Sequence, residues 1–186
     1  MISNVAKVIL RILGWKIVGN VPKEIKKAVI IMAPHTSNWD FVYGQLALQA
    51  LRLPVRYFAK KELFFFPLSL LLRGTGGVPI NRAKSSNMVK EAATLFDAYS
   101  PFYIIITPEG TRSRVEKWKT GFYYLAQEAK VPILLSFIDF KKKELGVAKT
   151  IEPSGDVETD FRYIQDFYNS INPKYPEKYN PVIFKK

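Results

Sequence analysis

Three short apolar runs, each rich in β-branched residues and each halted by a polar segment, constrain this chain more than anything else in it. Ala28–Ala33 runs into Pro-His-Thr-Ser-Asn-Trp-Asp, Val78–Ile80 into Asn-Arg, and Phe102–Thr107 into Pro-Glu-Gly-Thr-Arg-Ser-Arg. Runs of this length without polar alternation read as strands buried on both faces. Val55–Ala59 and Pro132–Phe140 read as further strands. A basic turn at Lys141–Lys143 makes Leu145–Ile151 the hairpin partner of the latter. Helical spacing covers Asp40–Leu51, Ser85–Tyr99 (capped by Ser85 or Ser86), Thr120–Lys130 and Thr159–Ile171. Glu62–Arg73 reads as one more helix with Pro67 near its first half, and Gly74–Gly77 as a turn. This alternation predicts an α/β fold: a largely parallel central sheet flanked by helices. The 186 residues suit a single domain, with an amphipathic helix over residues 1–14 and a basic tail over 172–186.

Composition removes several chemistries. Cysteine is absent, which excludes a disulfide scaffold, a cysteine nucleophile and a thiolate metal site. His35 is the one histidine, so a zinc site built on several imidazoles is excluded too. Against 16 acidic residues stand 28 Lys and Arg, a formal charge of +12 that attracts an anionic partner. A non-catalytic module for nucleic acid or anionic lipid has only this charge behind it. The basic residues are scattered rather than interleaved with aromatics in one stripe, and no nucleic-acid motif is present. Gly-x-Ser-x-Gly, a phosphate loop and a dinucleotide fingerprint are all missing.

Membrane contact has two candidate segments. In residues 1–14, Ile2, Val5, Val8, Ile9, Ile12 and Leu13 share one side of a helix, and Ser3, Asn4, Lys7, Arg11 and Gly14 the other. Such a helix either lies in a headgroup layer or covers the domain's own core. Leu63–Leu72 is bracketed by Lys60, Lys61 and Arg73. It is too short to span a bilayer, which takes about 20 residues. It suits dipping into one, lining a slot for an alkyl chain, or a buried helix kinked by Pro67.

Ligands of open α/β sheets bind beyond the carboxyl ends of the strands, so the three polar segments should meet at one edge. His35 and Asp40 are too far round a helix to touch. A turn at His35, with Ser37 or Asn38 capping a helix near Asp40, brings them together. Asp40 then accepts from one ring nitrogen and leaves the other as a general base. A capping carboxylate beside a structural histidine would have the same spacing. In Glu109-Gly110-Thr111-Arg112, Gly110 allows close backbone approach, Thr111 offers a hydroxyl and Arg112 a planar fork for phosphate. Arg82 offers a second phosphate contact, and Lys117 and Lys119 extend the positive field.

The order of these segments resembles the glycerolipid acyltransferase family, whose bacterial type member converts 1-acylglycerol-3-phosphate to phosphatidic acid. His35 to Asp40 is similar to its His-x4-Asp motif. Gly76 to Arg82 is similar to its second motif, Pro108 to Ser113 to its Pro-Glu-Gly-Thr-Arg-Ser, and Val131-Pro132-Ile133-Leu134 to its fourth. Departures are Pro34 before the histidine, Thr107 before Pro-Glu-Gly, and Ser136-Phe137 where a second proline is usual. The resemblance implies that His35 deprotonates the acceptor hydroxyl of a lysophospholipid as it attacks an acyl thioester, with Asp40 orienting the ring. It implies that Glu109, Gly110, Thr111 and Arg112, with Arg82, hold glycerol phosphate, with Asn81, Ser113 and Lys119 as secondary contacts. The implied partners are a lysophospholipid, acyl-CoA or acyl carrier protein as donor, and an anionic membrane surface on the cytoplasmic side, without nucleic acid. No metal, cofactor or covalent enzyme intermediate is implied.

Overall fold

The computed structural model describes residues 2–80, 88–181 and 184. The chain runs α1 (Ile2–Ile12), β1 (Lys16–Gly19), β2 (Lys27–Met32), α2 (Asn38–Leu51), β3 (Val55–Lys60), α3 (Leu68–Gly74), β4 (Gly77–Ile80), α4 (Met88–Ala98), β5 (Phe102–Ile106), α5 (Gly121–Ala129), β6 (Ile133–Asp139), β7 (Glu144–Ile151) and α6 (Val157–Asn169). The strands form one sheet in the order β1-β7-β6-β2-β5-β3-β4. Neighbours are parallel except β6 and β7, which form the antiparallel hairpin. The expected α/β architecture is therefore what the chain adopts.

Both faces of the sheet are covered, which is why β2 needs no polar alternation. Val29, Ile31 and Ala33 meet α4, α5 and α6 through Ala92, Phe96, Phe122, Tyr123, Phe161 and Ile164. Ile30 and Met32 face the opposite layer, where α1 and α2 bring Ala6, Leu10, Ala47 and Ala50. Because β2 and β5 are adjacent and parallel, the segments after Met32 and after Ile106 emerge side by side at one edge.

Three expectations change. Lys16–Gly19 is a strand that sequence pattern did not indicate; it pairs with β7 beyond the hairpin. Glu62–Arg73 is not one helix: Lys61–Leu63 forms a 3₁₀ turn and α3 starts only after Pro67, whose ring cannot sit inside a helix. Nor is this segment buried. No residue of either piece is enclosed, Phe66 is 81% exposed, and Leu63, Phe65, Leu70 and Leu71 are exposed beside it. Ser85 and Ser86 lie outside the described residues.

Helix α1 packs on the domain with only part of its surface. A narrow stripe of Ser3, Ala6 and Leu10 packs inward, with Ser3 Oγ donating to the Ala50 carbonyl at 3.1 Å. The broad apolar face points out: Val5, Val8, Ile9 and Leu13 are exposed, and Ile12 is 78% exposed. No helix among the described residues is long and apolar enough to cross a membrane.

Candidate active site

The turn between β2 and α2 is built around one carboxylate oxygen. Ser37 caps α2, its Oγ accepting from Trp39 N–H at 3.1 Å. Asp40, in the first helical turn, reaches back to the cap, completing a capping box. Its Oδ2 accepts from Thr36 N–H at 2.8 Å, Ser37 N–H at 2.9 Å and His35 Nδ1 at 3.0 Å. Asp40 is 1% exposed and lies in the first turn of α2, at the positive end of the helix dipole.

Where Asp40 Oδ2 accepts from Nδ1, the neutral ring keeps its lone pair on Nε2. The His35 side chain keeps 17% of its surface in solvent, and Nε2 has no protein hydrogen bond among the described residues. A half-sheltered imidazole with a carboxylate behind it has the geometry that general-base chemistry requires.

The β5–α5 loop supplies the neighbouring groups. A turn from Thr107 to Gly110 closes through Gly110 N–H to the Thr107 carbonyl at 3.0 Å, and Lys119 N–H to the Pro108 carbonyl at 2.9 Å ties the far side. Gly110 has φ +67°, a conformation that strains any residue with a Cβ, and the movable end of Lys119 lies 2.9 Å from where that Cβ would be. Thr111, Arg112, Ser113 and Lys119 are exposed. Among the described residues Arg112 and Lys119 make no ion pair, so both charges face solvent uncommitted. Asn81 and Arg82, expected beside them, lie outside the described residues.

Glu109 is placed differently from these exposed groups. It is buried, and Oε1 accepts from the backbone N–H of His35 at 3.0 Å. Burial pushes its pKa from the usual 4.5 up to about 7, against the hydrogen bonds and the His35 field, which favour the carboxylate. The nearby Asp40 charge adds to the rise. Glu109 thus bears on the histidine turn across 74 residues of sequence.

Sequence pattern missed the C-terminal segment altogether. Tyr175 N–H donates to Thr36 Oγ1 at 3.3 Å, and Arg114 Nη1 donates to the Tyr179 carbonyl at 2.7 Å. The aromatics spaced through that basic tail, Tyr175 and Tyr179, were the available signal.

Comparison with known proteins bears on the family and the fold. The sequence model of the family described as Acyltransferase matches residues 15–135. A mouse protein named 1-acyl-sn-glycerol-3-phosphate acyltransferase epsilon is 33% identical over 100 residues, which are 50% of this chain and 27% of the mouse protein. The chain therefore spans about a quarter of that relative's length. Among solved structures, the 1-acyl-sn-glycerophosphate (LPA) acyltransferase PlsC from Thermotoga maritima superposes with a TM-score of 0.64. That superposition covers 90% of this chain and 75% of the other at 21% identity, and so speaks to the fold.

Proposed function

This chain belongs to the acyltransferase family, and from that premise we propose that it moves a fatty acyl group from an acyl thioester to the free hydroxyl of a lysophospholipid. The acceptor we assign is 1-acylglycerol-3-phosphate, and the product phosphatidic acid. The observation that carries the reading is the 3.0 Å contact between His35 Nδ1 and Asp40 Oδ2, which leaves Nε2 bare at the carboxyl edge of the sheet.

In this mechanism the acceptor hydroxyl oxygen bonds to the thioester carbonyl carbon while its proton passes to His35 Nε2. Asp40 stabilises the imidazolium so formed. Collapse of the tetrahedral intermediate breaks the carbon–sulfur bond, and the departing thiolate takes from His35 the proton that came from the acceptor hydroxyl. A positioned base of this kind supplies about 10²–10⁴-fold in rate. Arg112 and Arg82 hold the acceptor phosphate, Gly110 and Thr111 line its approach, and Asn81, Ser113 and Lys119 contribute around it. Glu109 supports the histidine turn from behind. No step is routed through a cofactor. The donor is acyl-CoA or acyl carrier protein, either of which suits a basic surface.

Purified protein, labelled acyl-CoA or acyl carrier protein, and 1-acylglycerol-3-phosphate make the test. His35→Ala should lower kcat by about 10²–10⁴-fold; unchanged turnover would remove the assigned base. An acceptor panel with glycerol-3-phosphate and lyso-aminolipids sets the head group, and Arg82→Ala should weaken the preference for phosphate.

We also place the protein on the anionic, cytoplasmic membrane surface. Support comes from the exposed apolar face of α1, which carries Lys7 and Arg11 on its flank, and from the net charge of +12. Val8→Glu with Ile12→Glu should reduce sedimentation with anionic vesicles several-fold, leaving thermal stability within about 0.5 kcal/mol because both side chains are already exposed. Undiminished sedimentation would return α1 to a purely structural role.

A further inference from the structure

Besides α1, the chain has a second apolar stretch with cationic borders, the segment between β3 and β4. No residue of Lys61–Leu63 or of α3 is buried, and Leu63, Phe65, Phe66, Leu70 and Leu71 all face solvent. Single exposed apolar side chains are ordinary, but several crowded into one short run form a patch, and patches mark interfaces. Cations frame this one. Lys60 and Lys61 stand exposed before the run and Arg73 after it, with the Arg73 guanidinium 5.6 Å from the centre of the Phe64 ring.

Topology sets the segment on the same layer as α1 and at the same edge as His35. The crossovers β2-α2-β3 and β3-α3-β4 run the same way across the sheet, so their shared right hand puts α2 and α3 on one face. Contacts agree: the Phe41 ring of α2 lies 5.7 Å from that of Tyr57 in β3, and the Tyr57 hydroxyl is 2.8 Å from Thr75 Oγ1, just after α3. Helix α1 packs on α2 in this layer. Strand β3 is parallel to β5, so Lys61 leaves the sheet at the carboxyl edge where His35 and Glu109 stand. The two layers show solvent different surfaces. Trp39, Phe41 and Val42 of α2 extend the exposed apolar face of α1 towards the segment. Helices α4, α5 and α6 expose no large aliphatic, Phe or Trp side chain among the described residues, only tyrosines such as Tyr124 and Tyr163. Exposed acids divide the other way: Glu91, Asp97, Glu128, Glu158 and Asp166 lie on α4, α5 and α6, against Glu62 on the first layer's helical segments. A face that is apolar and cationic, backed by an acidic one, is complementary to an anionic bilayer.

We propose that the β3–α3 segment enters the surface of an anionic bilayer as a second contact beside α1, with Phe65, Phe66, Leu70 and Leu71 among the acyl chains and Lys60, Lys61 and Arg73 at the phosphates. The segment starts at the strand ends that carry the site. Its insertion therefore sets the opening beside His35 at headgroup depth, where a lysophospholipid presents its hydroxyl and phosphate. The bilayer as partner rests on the membrane placement made from α1, and the consequence for the substrate on the acyl-transfer reading.

The chain has no cysteine, so one introduced cysteine carries one environment-sensitive fluorophore. Full-length Phe66→Cys, Ile12→Cys and Tyr163→Cys, each labelled with a nitrobenzoxadiazole dye, are titrated with vesicles of phosphatidylcholine and phosphatidylglycerol. Emission at position 66 should rise several-fold and shift to the blue, as at position 12, while position 163 on the opposite layer stays as in buffer. Vesicles of phosphatidylcholine alone should give a several-fold smaller response, because the cations lose their partner. Unlabelled Phe66→Asp with Leu70→Asp should weaken vesicle partitioning about tenfold or more with α1 intact. Both side chains are exposed, so the thermal midpoint should not move. That variant should raise KM for 1-acylglycerol-3-phosphate carried in vesicles and match the wild type on a short-chain acceptor free in solution. A silent probe at position 66 beside a responding one at position 12 would overturn the proposal and leave the α1 placement standing. Silence at both would overturn both. A response at position 66 that grows with protein concentration before vesicles are added would assign the segment to a second copy of the chain and overturn the proposal likewise. Vesicle responses in a protein without acyl transfer would sink the functional reading and leave the docking surface standing.

Discussion

The β2–α2 turn and the β5–α5 loop sit side by side at the sheet edge but are built in opposite ways. In the first, one Asp40 oxygen gathers His35, Thr36 and Ser37 within five residues, and the turn carries its own hydrogen bonds. In the second, Thr111, Arg112, Ser113 and Lys119 stand in solvent; backbone bonds close the loop at Thr107–Gly110 and Pro108–Lys119, and the C-terminal segment adds bonds at Tyr179 and Asn180. A base must be oriented before substrate arrives, because its lone pair has to point at the reacting proton. An anion cradle gains from the reverse: cations already paired inside the protein would have to be unpaired to take up phosphate. Glu109, buried and bonded to the His35 amide, joins the rigid half to the open one.

The sharpest way to break this contrast is to remove the pin of the rigid half. Asp40→Ala leaves two backbone N–H groups and an imidazole unmatched in a buried turn, and should destabilise the protein by about 3–5 kcal/mol in urea unfolding while abolishing turnover. A loss below about 1 kcal/mol would mean the turn is held by something else. Next comes the joint. Glu109 titrates near 7 in the folded chain against an ordinary 4.5, so its contribution to stability is full below pH 4.5 and is lost as pH rises through about 7. Glu109→Gln keeps an acceptor for the His35 amide and should flatten that slope, worth about 3 kcal/mol across the window. Denaturant curves at several pH values measure it, and an unchanged slope would show that Glu109 is not the group responsible. The smallest effect belongs to the open half. Arg112→Ala should weaken binding of a phosphate-bearing acceptor by about 1.5–3 kcal/mol, read in KM, with stability unaltered. A stability loss above about 1 kcal/mol would show that the loop is not independent of its cation.

The legible parts of the site are those in which partners lie close in sequence. Ser37 as cap and Asp40 in the first turn follow from the hydrogen-bonding needs of any helix start, and the His35 contact follows from them. The meeting of the Pro108–Ser113 segment with the histidine was also legible, since parallel strands deliver their ends to one edge. What Glu109 does there was not. Nothing in Pro-Glu-Gly-Thr-Arg distinguishes a carboxyl that faces ligand from one that turns inward to an amide 74 residues away. Which face of α1 packs on the domain was likewise not legible. Its wheel is amphipathic, but the stripe that packs on α2 is the small one, Ser3, Ala6 and Leu10, and the large apolar side chains are left outside.

By itself the sequence determined the alternation of helices and buried strands and the capped turn that sets His35 beside Asp40, because backbone periodicity and end-capping act over only a few residues. Tertiary structure alone decided that β1 joins the sheet beside β7, that Glu109 turns inward and that the C-terminal segment ties two loops together. Each of those outcomes depends on which distant surface a residue meets, and a polar group kept from water takes whichever partner the packed chain brings within reach.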